Sequence, residues 1–225
     1  MINYTLTRAK RKTVALYVRN GNIEVRVPMK MPKCDIDKFV SSKEKWIIDR
    51  LAKSHEHSEQ RKSFELNYGG TVLYRGKSYP ITAKSGKHIG FYDTAFYMPP
   101  DLTSKQIKAA CVQIYRMLAK RDLTQKTFDF AKQMSVMPTS VKINGAVTRW
   151  GSCSGRKSIN FSWRLIMADD DVIDYVVVHE LAHLTEMNHS KKFWSIVEKA
   201  LPNYKERQLR LKELQKKLNM EDWEM

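Results

Sequence analysis

Cysteine is scarce in this sequence. Cys34, Cys111 and Cys153 are the only three in 225 residues. They are far apart and odd in number, which argues against a disulfide framework or a thiolate zinc knuckle and fits a reducing compartment. Long apolar runs are missing as well: no stretch approaches the roughly 18 to 20 residues that a membrane-spanning helix needs. The first residues, Met1 to Arg8, alternate like a strand and lack the apolar core of a secretory signal. The expectation is a cytoplasmic protein with no membrane partner. No internal repeat or low-complexity segment appears, and no glycine-rich phosphate loop is visible. Acidic side chains are in the minority, 24 Asp and Glu against 40 Lys and Arg, which leaves a net charge of +16. The excess is heavier at the front, with 19 basic against 9 acidic residues in 1–100 and 21 against 15 in 101–225. Such a balance favours polyanions, nucleic acid among them, through a basic surface. Scattered positives without long runs also fit a plain solubilising charge.

What is abundant is apolar: 42% of the residues are hydrophobic, enough for a real core. The first third reads as β-rich. Tyr4 to Leu6, Thr13 to Val18 and Ile23 to Val27 alternate at strand period, with a turn signal at Arg19-Asn20-Gly21-Asn22. The pattern predicts one helix from about Asp35 to His57, with Asp35 or Asp37 as its N-cap. Two hairpins follow, turning at Gly76-Lys77 and Asp93-Thr94. Pro99-Pro100 is the best boundary, which divides the chain into a β-rich region, 1–100, and a second region, 101–225. There the pattern predicts a helix from Thr103 to about Met134, with Ile107, Ile114, Leu118 and Phe128 in its core. A strand at Val141 to Ile143 follows, then a hairpin whose return strand is Ser158 to Ile166. The free edge of that return strand would accept a peptide as an added strand. Three helices close the chain: Val172 to about Met187, Ser190 to Ala200, and Tyr204 to about Leu218. The fold class is α+β.

The chemistry concentrates in one of these helices. His179-Glu180-Leu181-Ala182-His183 sets two imidazoles one turn apart on a single face, so both reach one metal ion. Glu180 is rotated about 100° from His179, near enough to act on a water without occupying a ligand position. Zinc at such a site lowers the pKa of bound water to about 7, and the carboxylate takes its proton. The third ligand must come from elsewhere. His189 would sit on the wrong side of a continuing helix, so the helix must end before it. Asn188 tolerates the left-handed conformation that closes helices, and Ser190 can cap the next one. Glu186 and Glu198 are the competing oxygen ligands.

These residues carry a resemblance. Arg149-Trp150-Gly151-Ser152-Cys153, Ile159-Asn160, Trp163-Arg164-Leu165, His179 to Leu184, Asn188-His189-Ser190 and Phe193-Trp194 resemble the YgjP-like family of predicted zinc metallopeptidases, relatives of the WLM and SprT-like groups. The resemblance is specific in roughly the last 80 residues and loose before them. It implies a compact zincin-type domain with a long helix, a small twisted sheet and a metal-binding helix, and it implies His189 as third ligand. Metzincins place a glycine where this chain has Glu186, and no methionine turn follows, so that class does not fit.

The expected activity is zinc-dependent hydrolysis of a peptide or protein substrate, with Glu180 as general base. Arg149, Arg164 and Tyr204 are the residues available to steady an oxyanion, and of these Arg149 and Tyr204 are taken forward. Two other functions are consistent with the motif: hydrolysis of a phosphoanhydride, and a nucleic-acid-binding module with structural zinc. The absence of a phosphate loop counts against the first, and Glu180 beside the metal counts against the second. Cys153 has nothing nearby to activate it as a nucleophile. His55 and His57 beside Glu56 read as a solvated helix face rather than a second metal site.

Overall fold

A computed structural model describes residues 2–19 and 21–223; Asn20 and the side chain of Arg19, both in the first turn signal, and the side chain of His57 lie outside the described residues. Two compact units divide the chain, one reaching to Phe64 with Leu218–Asp222 and one comprising Glu65–Lys217 with Trp223.

In the first unit β1 (Thr5–Ala9), β2 (Ala15–Arg19) and β3 (Asn22–Pro28) form a sheet in the order β1-β3-β2. The strand period holds in β3, where Ile23, Val25 and Val27 are all buried. They meet Ile36, Val40 and Ile47 from the helices that follow. The single helix expected over 35–57 is two, α1 (Lys33–Ser42) and α2 (Glu44–Lys62). Ser42 Oγ donates to the Phe39 carbonyl at 2.7 Å, a local bond that competes with the helix ladder, and Lys43 leaves helical geometry. Neither Asp35 nor Asp37 caps α1; Pro32 occupies the N-cap and Asp35 lies in the first turn.

The second unit holds the other hairpins. β4 (Thr71–Tyr74), β5 (Lys77–Ala83), β6 (Gly90–Tyr92) and β7 (Ala95–Met98) form a sheet ordered β4-β5-β7-β6. Pro99-Pro100 lies inside this unit, because β7 and the following helix share one core: the rings of Phe96 and Tyr115 lie 5.2 Å apart. That helix, α3 (Ser104–Gln133), opens with Thr103 and Gln106 in a reciprocal capping box. It buries Ile107, Ile114, Leu118 and Leu123, whereas Phe128 is half exposed, contrary to its expected core position.

The segment after α3 builds the frame of the site. β8 (Ser140–Asn144), β9 (Gly151–Cys153) and β10 (Ser158–Ser162) form a sheet ordered β8-β10-β9, with β10 parallel to β8 and antiparallel to β9. The return strand is shorter than expected. Ser162 caps a 3-10 helix, Trp163–Met167, whose five side chains are all buried, so strand alternation ends there. β10 is the central strand and has no free edge; β9 is an edge strand and lies against the helix that carries His179 and His183.

That helix is α4 (Asp170–Ala182), followed by α5 (Lys191–Ala200) and α6 (Tyr204–Leu218). Val176-Val177-Val178 is a poor helix former, at about 0.5 kcal/mol per residue relative to alanine. All three valines are buried, however, and burial contributes about 1.5 to 3 kcal/mol each, so packing wins. The start of α4 is pinned by charge. Arg75 grips Asp170 through two bonds, and Arg210 bridges Asp169 and Asp171 at 2.6 and 2.7 Å. Arg75 and Gly76 both have positive φ, and a Cβ at Gly76 would lie 1.8 Å from Asp169 Oδ1, so the hairpin tip requires glycine there.

Candidate metal centre

The face of α4 brings His179 and His183 together as their spacing requires. His189 reaches them because α4 ends at Ala182, five residues before the expected Met187. The chain then tightens through Leu184 and Thr185 amides bonded to the Leu181 and Ala182 carbonyls. Asn188 assists differently than expected. It is not among the described residues with positive φ; instead its Oδ1 accepts from the Ser190 amide at 2.9 Å. Ser190 caps α5, accepting from the Phe193 amide.

The three imidazoles converge. Nε2 of His179 and Nε2 of His189 are 3.1 Å apart, and one ligand atom from each histidine lies within 4.8 Å of the others. Among the described residues this is the group suited to a metal, and neither Glu186 nor Glu198 joins it. His183 Nδ1 lies 3.1 Å from the Glu186 carbonyl. A carbonyl only accepts, so Nδ1 carries the proton and Nε2 keeps its lone pair. Burial, reinforced by the other two imidazoles, holds His179 down to about 3, and burial also lowers His183. Both rings are therefore neutral at ordinary pH, the form a metal ligand needs. Three imidazole donors with a carboxylate beside them suit a catalytic metal ion.

Aromatic packing fixes these rings. Phe193 is fully buried, with its ring 4.9, 4.5 and 4.8 Å from those of His179, His183 and His189. Trp194 stacks on His189, Tyr204 on Trp194, and Tyr175 on Tyr204, and Tyr175 meets His179 edge-on at 5.9 Å. The chain of contacts closes on the two nitrogens that face each other. His179 Nδ1 is buried and has no hydrogen-bond partner among the described residues. The four-residue step from Tyr175 to His179 was legible as a helical neighbour pair; the rest joins α4, α5, α6 and the loop that carries His189.

Glu180 lies beside the cluster and is only 6% exposed. Burial pushes its carboxyl up to about 7, against the pull of Arg149. Gly151 on β9 makes room for it: a Cβ there would lie 2.5 Å from Glu180 Oε1. Arg149 is exposed, in the segment leading into β9. Tyr204 is buried between Trp194 and Tyr175. Arg164 is occupied elsewhere, donating to the Gly145 carbonyl at 3.0 Å with its guanidinium over the Trp163 ring. Cys153 is near Glu180, and burial followed by that carboxylate raises its thiol pKa, which keeps it protonated and unreactive.

Residues 12–214 match the family described as YgjP-like, metallopeptidase domain. No curated protein matches the chain. Among solved structures it is similar to the metallopeptidase zymogen abylysin of Pyrococcus abyssi, at 23% identity and TM-score 0.37, over 40% of this chain and 90% of that one. It is also similar to the metallopeptidase zymogen jannalysin of Methanocaldococcus jannaschii, at 19% identity and TM-score 0.37, over 42% of this chain and 96% of that one.

Proposed function

The chain belongs to the YgjP-like metallopeptidase family, and from that premise we propose that His179, His183 and His189 hold one zinc ion and that Glu180 is the general base for peptide-bond hydrolysis. The observation that carries the reading is the convergence of three imidazoles, two of them held neutral by burial, beside a buried carboxylate. Nitrogen ligands favour zinc among the available divalent ions. Bound there, the ion would polarise the scissile carbonyl and acidify the attacking water.

The chain's own groups do the rest. A Glu180 carboxylate whose pKa lies near 7 accepts a proton from water and returns it to the departing amine. Arg149 is the better candidate for steadying the oxyanion, since it is exposed and its charge already acts on Glu180. Tyr204 is the second candidate, although stacking covers both faces of its ring. A substrate peptide is expected to add to the outer edge of β9, because β9 pairs on one side only and holds Gly151 against Glu180.

Metal content measured by mass spectrometry on wild type, His183→Ala and His189→Ala tests the ligands. About one zinc per wild-type chain, lost or much weakened in both variants, is the expected result. Tight zinc in His189→Ala would remove that residue from the site, and a metal-replete wild type without zinc would remove the reading.

A further inference from the structure

The first unit carries a concave surface of its own. A groove of about 1020 Å³ runs between β2 and α2, entirely within that unit. On α2 the lining residues Trp46, Arg50, Lys53 and Arg61 fall within about 80° of one another around the helix and spread over roughly 22 Å of its length. β2 adds Tyr17. Trp46 is 42% exposed while Ile47, next to it, is fully buried, so the indole is not part of the core. The Arg50 guanidinium lies 5.6 Å from its ring centroid.

The lining is basic. Lys53 pairs with Asp49 at 2.9 Å, Arg61 with Asp222 at 3.3 Å and Lys62 with Glu59 at 2.9 Å. The Lys53 and Lys62 pairs are largely exposed, and such pairs contribute little and exchange readily for another anion, whereas the Arg61–Asp222 pair is part-buried. The surrounding charge points the same way. Residues 1–64 hold 15 Lys and Arg against 7 Asp and Glu, so +8, half of the chain's +16 in under a third of its length. A row of cations beside an exposed indole matches a chain of phosphates carrying flat bases. A duplex hides the faces of its bases in its own stack. An acidic peptide matches the charge but brings no planar group for Trp46.

We propose that this groove binds single-stranded nucleic acid, with the phosphates along Arg50, Lys53 and Arg61 and a base stacked on Trp46. The proposal does not depend on the metal reading.

The test is fluorescence anisotropy with a labelled twenty-nucleotide oligothymidine, run on the full-length metal-loaded protein across a salt series. Duplex of equal length and polyglutamate serve as competitors. Wild type is expected to bind, with affinity falling log-linearly in salt. Arg50→Gln with Lys53→Gln should flatten that slope by about 1.4, since each single-strand phosphate contact contributes about 0.7. Trp46→Ala should weaken binding by about tenfold or more, with Trp46→Phe recovering much of it, as stacking requires. Unchanged melting temperatures would show that the variants fold. No binding at low salt would overturn the proposal. So would binding indifferent to all of these variants, or polyglutamate competing as well as oligothymidine with no effect of Trp46→Ala, which would mark a general polyanion surface.

Discussion

Gly151 and Glu180 meet so closely that a side chain on the first cannot coexist with the present position of the second: an added Cβ would lie 2.5 Å from Oε1 and 2.6 Å from Cγ of Glu180. β9 and α4 therefore fix the carboxylate jointly. Gly151→Ala should displace it and lower kcat on the order of 100-fold, the usual cost of misplacing a catalytic group by about 1 Å. Metal content by mass spectrometry should stay near wild type. Full activity in the alanine variant would mean that Glu180 does not act from this position.

Glu180→Gln should reduce hydrolysis by roughly 100- to 10,000-fold while sparing metal binding. The same variant has a stability signature in the metal-free protein. Burial raises the folded pKa of Glu180 to about 7 from its ordinary value of 4.5, so its contribution is intact below about pH 4.5 and is lost as pH rises through about 7. The glutamine variant should therefore gain on wild type across that window, by up to about 3 kcal/mol. Parallel urea titrations at pH 4 and pH 8 measure the difference; an equal gap at both would place the carboxyl in water.

Trp194 stacks on His189 with ring centroids 5.9 Å apart, and Tyr204 backs it at 5.3 Å. His189 comes from a loop rather than a helix, so this packing substitutes for a rigid element. Trp194→Ala should raise the zinc dissociation constant by about 10- to 100-fold, as loss of an orienting neighbour does, and Trp194→Phe by much less. Chelator competition reads both. Equal affinities in all three proteins would leave the stack without a role in metal binding.

The Arg75–Asp170 pair predicts an acid limb of stability. Burial raises the Asp170 pKa, but Arg75 and Lys126 outweigh it and the net shift is downward. The stabilisation is present above the ordinary aspartate range and disappears as pH falls through the lowered folded value. Both side chains are more than a third exposed, so screening limits Asp170→Asn to a loss of about 1 kcal/mol at pH 7. Thermal melts from pH 7 to pH 2 should show the two proteins converging.

Much of this molecule was legible in its residues. Period-two alternation located the strands of both units, and the start of α3, the glycine hairpin and the serine cap of α5 fell where local chemistry put them. Reading erred where local and tertiary demands part. Ser42 broke an apparently continuous helix, Phe128 followed the apolar period yet faces solvent, and the return strand stopped at Ser162, which caps a 3-10 helix although the apolar alternation runs on to Leu165. Alternation along one strand does not say which strands flank it, so it did not show that β10 is central and β9 an edge.

The sequence by itself determined the two-histidine face of α4 and the place of Glu180 beside it, because helical periodicity is a local property that spacing encodes. Only the tertiary structure decided how far His189 turns back, which strand gives Glu180 its room, and how Phe193, Trp194, Tyr204 and Tyr175 enclose the imidazoles. Those relationships join residues on separate elements, and contacts between elements follow from packing, which no spacing along the chain records.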